Sequence, residues 1–317
     1  MSGEIVLTAD RALAFHLVPR PVPRPWGGER VAARFGWSAH GACGEWWLAS
    51  SYPGTETTLR GHSHDLADWL DGPGRARGLP GAEHFPLLVK FLDAQDVLSL
   101  QVHPNDDVAV KHGLPNGKTE AWHVVEAEQG AAVYLGCAPG VSCVELLDAI
   151  EGGASDGEVR TLLNRVEVRP GDTIHVDAGT IHAIGPGLVL YEVQQNSDAT
   201  YRIHDWGRGR EVHLAQTRDA MIDHPAQAPL RVDVGAGELV TLIDGPAFRL
   251  HRGRVEGALD IATGARFSTL TVLAGSGVLH ADGARSRVKP GDTLITLGAV
   301  RLEGTGLDVL VAEAPTS

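Results

Sequence analysis

Between Leu98 and His103 the chain reads Leu-Ser-Leu-Gln-Val-His, a strict apolar–polar alternation. In a strand this puts Ser99, Gln101 and His103 on one face and Leu98, Leu100 and Val102 on the other. A face carrying an amide and an imidazole suits a cavity wall better than open solvent. Just upstream, Pro86–Leu92 is an apolar run broken only by Lys90, the pattern of a strand buried on both faces. Further strands are predicted over 120–126, 131–135, 166–168, 174–176, 188–194 and 200–204. Helical spacing takes over at 142–163, through Val144, Leu147 and Ile150 and then Val159, Leu162 and Leu163, with Gly152-Gly153 dividing two helices. A short helix is expected at 66–70 behind Asp65, and an amphipathic one at 211–222 stopped by Pro225. Residues 1–60 read as short strands and turns, and 71–82 as a loop.

Residues 224–235, rich in Pro and Ala, form the best linker candidate. Beyond them, strand-sized apolar runs recur at 239–243, 248–250, 267–273, 277–280, 293–296 and 307–312. One echo links the two halves: Val168-Arg-Pro-Gly-Asp-Thr-Ile174 returns as Val288-Lys-Pro-Gly-Asp-Thr-Leu294. The expected fold is mainly β, with two jelly-roll units and a small helical insertion near 142–163 in the N-terminal half. The expected domains are 1–223, the linker 224–235, and a smaller unit over 236–317. The position matching His182 in the second copy holds Arg301 or Leu302, so only the first copy is expected to hold a metal.

Composition narrows the function. The chain has 317 residues with 40 acidic against 27 basic, a formal net charge of −13, which repels nucleic-acid backbones and anionic lipid. A local basic pocket for a small phosphorylated ligand remains compatible with that balance. Cys43, Cys137 and Cys143 contain no CxxC and leave one over, which argues against a disulfide framework and fits a reducing, cytoplasmic setting. Neither a signal-peptide pattern nor a membrane-length apolar run is expected.

Four residues suit one metal ion. Gln101 and His103 lie two apart on a strand and point the same way, and Glu120 and His182 can arrive from neighbouring strands. Imidazole nitrogen and carboxylate oxygen favour a borderline divalent ion such as zinc, and three strong ligands plus an amide leave room for water or substrate. Against this, a chain with 15 histidines shows some close pairs by chance. His62, His64, His112, His123, His175, His204, His213 and His280 are read as structural. Glu45, between Gly44 and Trp46, can help line a site.

At these residues the sequence resembles a cupin, and specifically the class I mannose-6-phosphate isomerases of the short bacterial type. The resemblance covers most of the chain. It is carried by Pro25-Trp-Gly-Gly28, Gly44-Glu-Trp46, Leu98–Pro104, Gly117-Lys-Thr-Glu-Ala-Trp122, Gly179-Thr-Ile-His-Ala183, Tyr191–Asp198 and Thr200-Tyr-Arg202. It departs at Asp177-Ala-Gly179, where relatives have Pro-Ala-Gly, and at Arg208, where longer relatives carry lysine. The resemblance implies two cupin-type jelly rolls and a zinc-dependent aldose–ketose isomerase acting on mannose 6-phosphate and fructose 6-phosphate. It places one zinc on Gln101, His103, Glu120 and His182, and it marks Arg202, Glu192 and Lys118 as active-site residues. Lys90, Ser99 and Arg208 fall at positions associated with the phosphate.

Isomerisation through a cis-enediol needs a proton-transfer group, for which Glu192 is the candidate and a metal-bound water the rival, an oxyanion stabiliser, for which Arg202 is the candidate, and a phosphate anchor, for which Lys90, Ser99 and Lys118 are the candidates. The partner is then a small phosphorylated sugar, with no nucleic acid and no membrane, and the chain is a monomer or homodimer. Two other readings use the same fold. A bicupin metal oxygenase would carry a His-x-His pair and iron, where this chain has Gln101-x-His103. A non-catalytic sugar-binding cupin would bind ligand without turnover.

Overall fold

The computed structural model describes residues 13–77, 81, 85–224, 228–262, 265 and 267–314. The chain gathers into two units. One contains Asp233–Ser317 with Trp47–Leu88 and the N-terminal stretch up to Arg20; the other contains Pro21–Trp46 and Val89–Val232. The late boundary falls inside the expected linker. The early part differs from the expected single domain over 1–223, and the reason is strand pairing. Leu13–Val18 lies antiparallel to Thr293–Leu297, with Leu13 opposite Leu297, and Thr58–Leu59 extends the same sheet. Pro225 lies outside the described residues.

In the first unit the sheet runs Glu238–Asp244, Arg249–Ile261, Val300–Glu313, Phe267–Ala281, Thr293–Leu297, Leu13–Val18 and Thr58–Leu59, with Ala284–Val288 paired to Phe267–Ala281. The two strands expected at 267–273 and 277–280 are one bent strand. Its register shifts between Val272 and Ser276, and a Cβ on Gly277 would stand 2.2 Å from the Glu303 carbonyl, so the bend depends on bare backbone there. Asp282 and Gly283, both at positive φ, close a two-residue hairpin whose turn matches strand twist. An apolar core of Val255, Leu270, Leu279, Leu294, Leu302 and Val309 fills this unit.

In the second unit a five-stranded sheet runs Tyr201–His204, Leu100–Val102, His182–Ile184, Ala132–Cys137 and Leu163–Glu167. A six-stranded sheet runs Thr173–Val176, Glu120–Ala127, Leu188–Gln195, Leu87–Ala94, Glu45–Ala49 and Arg20–Val22. Leu92, Trp122, Val124 and Leu190 from the larger sheet pack with Val133, Leu135 and Ile184 from the smaller. The opposite face of the smaller sheet, including Leu100, Val102 and Tyr201, is covered by Leu146, Leu147 and Val159 of the two expected helices. Those helices, Cys143–Glu151 and Asp156–Thr161, each begin with a Ser–Glu capping box. The expected helix at 211–222 is shorter, Leu214–Ala220.

Some elements were not expected. Arg30–Phe35 is helical inside a stretch read as strands and turns, and Asp106–Lys111 is a helix capped by Asn105. The helix Leu66–Trp69 winds on through Leu70–Gly74 and Arg75–Arg77 into what was read as loop, because Asp65 caps its start and Pro73 enters only late.

The sequence echo is an echo of hydrogen bonds. In one copy the Arg169 N–H donates to the Asp172 carboxylate at 3.1 Å and the Asp172 N–H returns to the Arg169 carbonyl at 3.0 Å. In the other copy Lys289 and Asp292 repeat both bonds at 3.0 Å. Gly171 and Gly291 take φ of 91° and 85°, and each buried aspartate is gripped by an arginine, Arg231 in one copy and Arg60 in the other. The chemistry then parts. Leu302, in place of His182, is fully buried among apolar side chains, and Arg301 pairs with Asp260 on the surface.

Candidate metal centre and substrate cleft

The alternation read from Leu98 to His103 is realised over the strand Leu100–Val102, whereas Leu98, ahead of the strand, turns to the cleft side with Ser99 and Gln101. Leu100 and Val102 pack under the helices, while Gln101 faces the space between the two sheets of its unit. Gln101 is the middle of a cross-strand row: His182 is its partner on one side and Arg202 on the other. From the facing sheet Glu120 enters at the start of its strand, opposite Gln194 and Val176, with Trp122 two residues on and turned to the same side.

His103 Nε2 lies 3.4 Å from one oxygen of Glu120 and His182 Nε2 lies 3.5 Å from the other. All three side chains are about 1% exposed, and their ligand atoms fall within 4.8 Å of one another. Gln101 Nε2 is 3.1 Å from His182 Nε2 and 3.5 Å from His103 Nε2, and an amide half-turn would present its oxygen instead. On the far side of each ring, Nδ1 faces a backbone carbonyl: Ala199 at 2.7 Å for His103 and Thr180 at 2.9 Å for His182. A carbonyl only accepts, so each Nδ1 carries the proton and each Nε2 offers a lone pair inward, the tautomer that binds metal.

The electrostatics agree. Burial, and then the Lys118 ammonium, push His103 down to about 3 against the pull of Glu120. Burial likewise lowers His182. Burial alone would protonate Glu120, but the Lys118 ammonium 2.9 Å away opposes it, and the carboxyl is held well below its usual range. The result is two neutral imidazoles and one carboxylate converging on a point, which are the protonation states a divalent ion requires. Among the described residues, the fit to a metal is found in this group.

A cleft of about 290 Å³ opens beside it, lined by Arg24, Glu45, Lys90, Ser99, Gln101, Lys118, Glu192, Asp198, Thr200, Arg202 and Arg210, with Trp26, Leu92, Leu98 and Ile184 as its apolar wall. Lys118 Nζ stands 2.9 Å from Glu120 and 3.0 Å from His103 Nε2. On the adjoining wall Lys90 pairs with Glu192 at 3.0 Å and approaches Glu45 at 3.9 Å. Glu192 also accepts the indole N–H of Trp122 at 3.0 Å, and Arg24 grips Glu45 through two bonds of 2.9 and 3.1 Å. Burial raises the Glu192 carboxyl above its ordinary value although Lys90 opposes that. At the other end Arg202 and Arg210 share Asp205: Arg210 clasps it closely and Arg202 stands 3.9 Å away. Burial, then the nearby Arg210, lowers the Arg202 guanidinium from its usual range.

The expected residues therefore gather in one place, with one exception. Arg208 turns aside from the cleft: its guanidinium donates to the Val97 carbonyl at 2.6 Å and to the Asp205 carbonyl at 3.1 Å. Arg210, two residues on, faces the cleft in its stead. Arg210, Arg24, Asp198 and Thr200 were not singled out from sequence. The recurring Arg-x-Arg at 208–210 was the available signal for Arg210. Among the histidines read as structural, His112 and Tyr201 are hydrogen-bonded at 2.6 Å, His123 and Thr173 at 2.8 Å, and His204 and Asp156 at 2.7 Å.

Comparison with known proteins gives a consistent result. Residues 20–127 match the family model for the catalytic domain of phosphomannose isomerase type I. A mannose-6-phosphate isomerase of Streptococcus mutans is 33% identical over 288 residues, covering 87% of this chain and 90% of that one. The crystal structure of the mannose 6-phosphate isomerase of Bacillus subtilis is 28% identical, with a TM-score of 0.82 over 95% of this chain and 99% of that chain. A mannose 6-phosphate isomerase structure described as holo and zinc bound, 18% identical, shares the fold with a TM-score of 0.73 over 95% of this chain and all of that one.

Proposed function

This chain belongs to the mannose-6-phosphate isomerase family, and on that premise we propose that it interconverts mannose 6-phosphate and fructose 6-phosphate through a cis-enediol in a zinc-dependent manner. The observation that carries the reading is the buried convergence of His103, Glu120 and His182 beside Gln101, at the end of a cleft whose far wall is basic. His103, His182 and Glu120 would hold the ion, with the Gln101 amide oxygen as a fourth, neutral ligand. Zinc bound there supplies Lewis acidity toward the sugar oxygens.

The chain's own groups divide the remaining work by charge. A phosphate brings nearly two negative charges and needs a net positive partner. Lys90 and Arg24 are balanced by Glu192 and Glu45, whereas Arg202, Arg210 and the neighbouring Arg208 gather around the one buried carboxylate of Asp205. The phosphate is therefore assigned to Arg202 and Arg210, with the Ser99 and Thr200 hydroxyls in reach of the same cleft. This moves Arg202 from the oxyanion to the phosphate and Lys90 from the phosphate to Glu192, and it replaces Arg208 by Arg210. Lys118, cationic and next to the ligand group, moves from the phosphate to the oxyanion. Glu192 takes the C1–C2 proton: its buried carboxyl is oriented by Trp122 and Lys90 and sits closer to neutral in basicity than an exposed glutamate.

The test is a coupled assay for fructose 6-phosphate, run with and without a chelator and with zinc restored. Activity that disappears and returns supports the proposal; activity indifferent to chelation contradicts it. An oxygenase reading would require oxygen uptake with the same preparation.

A further inference from the structure

Away from the cleft, Cys137 and Cys143 bring their sulfurs to 3.8 Å on the wall of a second cavity, about 470 Å³, which Thr180, Asp223 and His224 also line. The approach is set by backbone. Between them Ala138-Pro139-Gly140-Val141 is closed by the Val141 N–H donating to the Ala138 carbonyl at 2.9 Å, and Gly140 takes φ 86°. Proline second and a left-handed glycine third make a type II turn. Cys137 ends the strand Ala132–Cys137, and Cys143 begins the helix Cys143–Glu151, where its N–H donates to Asp223 at 2.8 Å. Both ends of the loop are thus fixed to regular structure. Cys43 is engaged elsewhere, with its thiol on the Glu45 carbonyl at 2.9 Å.

The two thiols are unequal. Their shared hydrogen bond holds Cys137 below the ordinary thiol range. The same bond, with burial and Asp223 added, pushes Cys143 well above it. Cys137 is also the more exposed of the two. Thiolate character and access together mark an attacking sulfur, and its neighbour a resolving one.

We propose that Cys137 and Cys143 form a reversibly oxidised dithiol, a modification site whose co-reactant is a low-molecular-weight disulfide. The Cys137 thiolate attacks one sulfur of that disulfide, forming a mixed disulfide and expelling one thiolate. Cys143 loses its proton to solvent, attacks the Cys137 sulfur and expels the second thiolate. Two protein thiols are oxidised, one small disulfide is reduced to two thiols, and the two released protons end on those thiols. The sulfurs close from 3.8 Å to the roughly 2.0 Å of an S–S bond by side-chain rotation and a small shift of the loop.

The full reduced chain, freed of reductant, is equilibrated in glutathione buffers stepped in disulfide ratio. Remaining thiols are then blocked with N-ethylmaleimide and the peptides mapped by mass without reduction. The expected result is one intrachain Cys137–Cys143 link whose fraction follows the buffer and reverses with dithiothreitol, while Cys43 stays alkylated. Alkylation of both Cys137 and Cys143 at every ratio overturns the proposal. In Cys143→Ser the glutathione adduct should be trapped on Cys137. If that variant does not fold, a brief pulse of glutathione disulfide on the unaltered chain gives the same reading, and a first adduct on Cys143 overturns the assigned order.

Discussion

Replacing Lys90 by Met removes the cation from a buried pair without emptying its space. Lys90 and Glu192 meet at 3.0 Å with side chains 5% and 4% exposed, and at an effective dielectric of ~20 their attraction amounts to roughly 5 kcal/mol. Much of that offsets desolvation, so the intact pair adds little net stability, but Lys90→Met leaves the Glu192 carboxylate buried with the Trp122 N–H as its hydrogen-bond donor among the described residues and Lys118 as a weaker electrostatic partner. The expected loss at pH 7.5 is about 3–5 kcal/mol, the usual cost of orphaning one member of a buried pair. The pH dependence follows from the direction of the shift. Glu192 already titrates above its ordinary value because of burial, and losing Lys90 raises it further. The folded variant therefore binds a proton that the unfolded chain does not, and its deficit shrinks as pH falls below the raised value. Lys90→Met/Glu192→Gln should recover most of the stability. Urea unfolding at pH 7.5 and 5.5 measures all of this; a loss under 1 kcal/mol, or one equal at both pH values, would refute the reasoning.

Arg202→Ala and Arg210→Ala should each lower kcat/KM for mannose 6-phosphate by roughly ten- to a hundredfold, the worth of a charge-assisted contact, and leave any turnover of unphosphorylated mannose unchanged. Equal losses on both sugars would return Arg202 to the oxyanion. Gly117→Ala would set a Cβ 2.6 Å from the Pro104 carbonyl and the Asn105 carbon, so the segment carrying Lys118 and Glu120 must shift. A loss of about 1–3 kcal/mol with weaker zinc retention is expected, read by urea unfolding and chelator competition. Asp292→Ala removes the buried acceptor shared by Arg60 and the Lys289 N–H, and should destabilise by about 1–3 kcal/mol without changing KM; an altered KM would contradict its purely structural role.

Part of this molecule is legible in its sequence because local rules govern it. Period-two alternation places Gln101 and His103 on one face, and Gly152-Gly153 divides the two helices. Other parts depend on long-range pairing that leaves no local mark. Nothing in Leu13–Val18 announces Thr293–Leu297 as its partner, so local pattern alone groups this strand with the residues that follow it. Arg208 and Arg210 are equivalent by composition. The choice between them is made by positive φ at Trp206, Gly207 and Gly209, and by the bonds of Trp206 and Arg208 to the carbonyls of Leu98 and Val97. The pairing of Lys90 with Glu192 likewise depends on the neighbouring placement of the strands Leu87–Ala94 and Leu188–Gln195.

The proposed metal centre of Gln101, His103, Glu120 and His182 lies in one unit, and an apolar core around Leu302 takes its place in the other. Metal content per chain, measured on the same preparation as fructose 6-phosphate formation, tests it directly. One equivalent of zinc whose stepwise removal tracks activity, and its loss in Glu120→Gln, is the predicted result. Activity that persists in metal-free protein, or a Glu120→Gln chain that keeps both its zinc and its turnover, would contradict it.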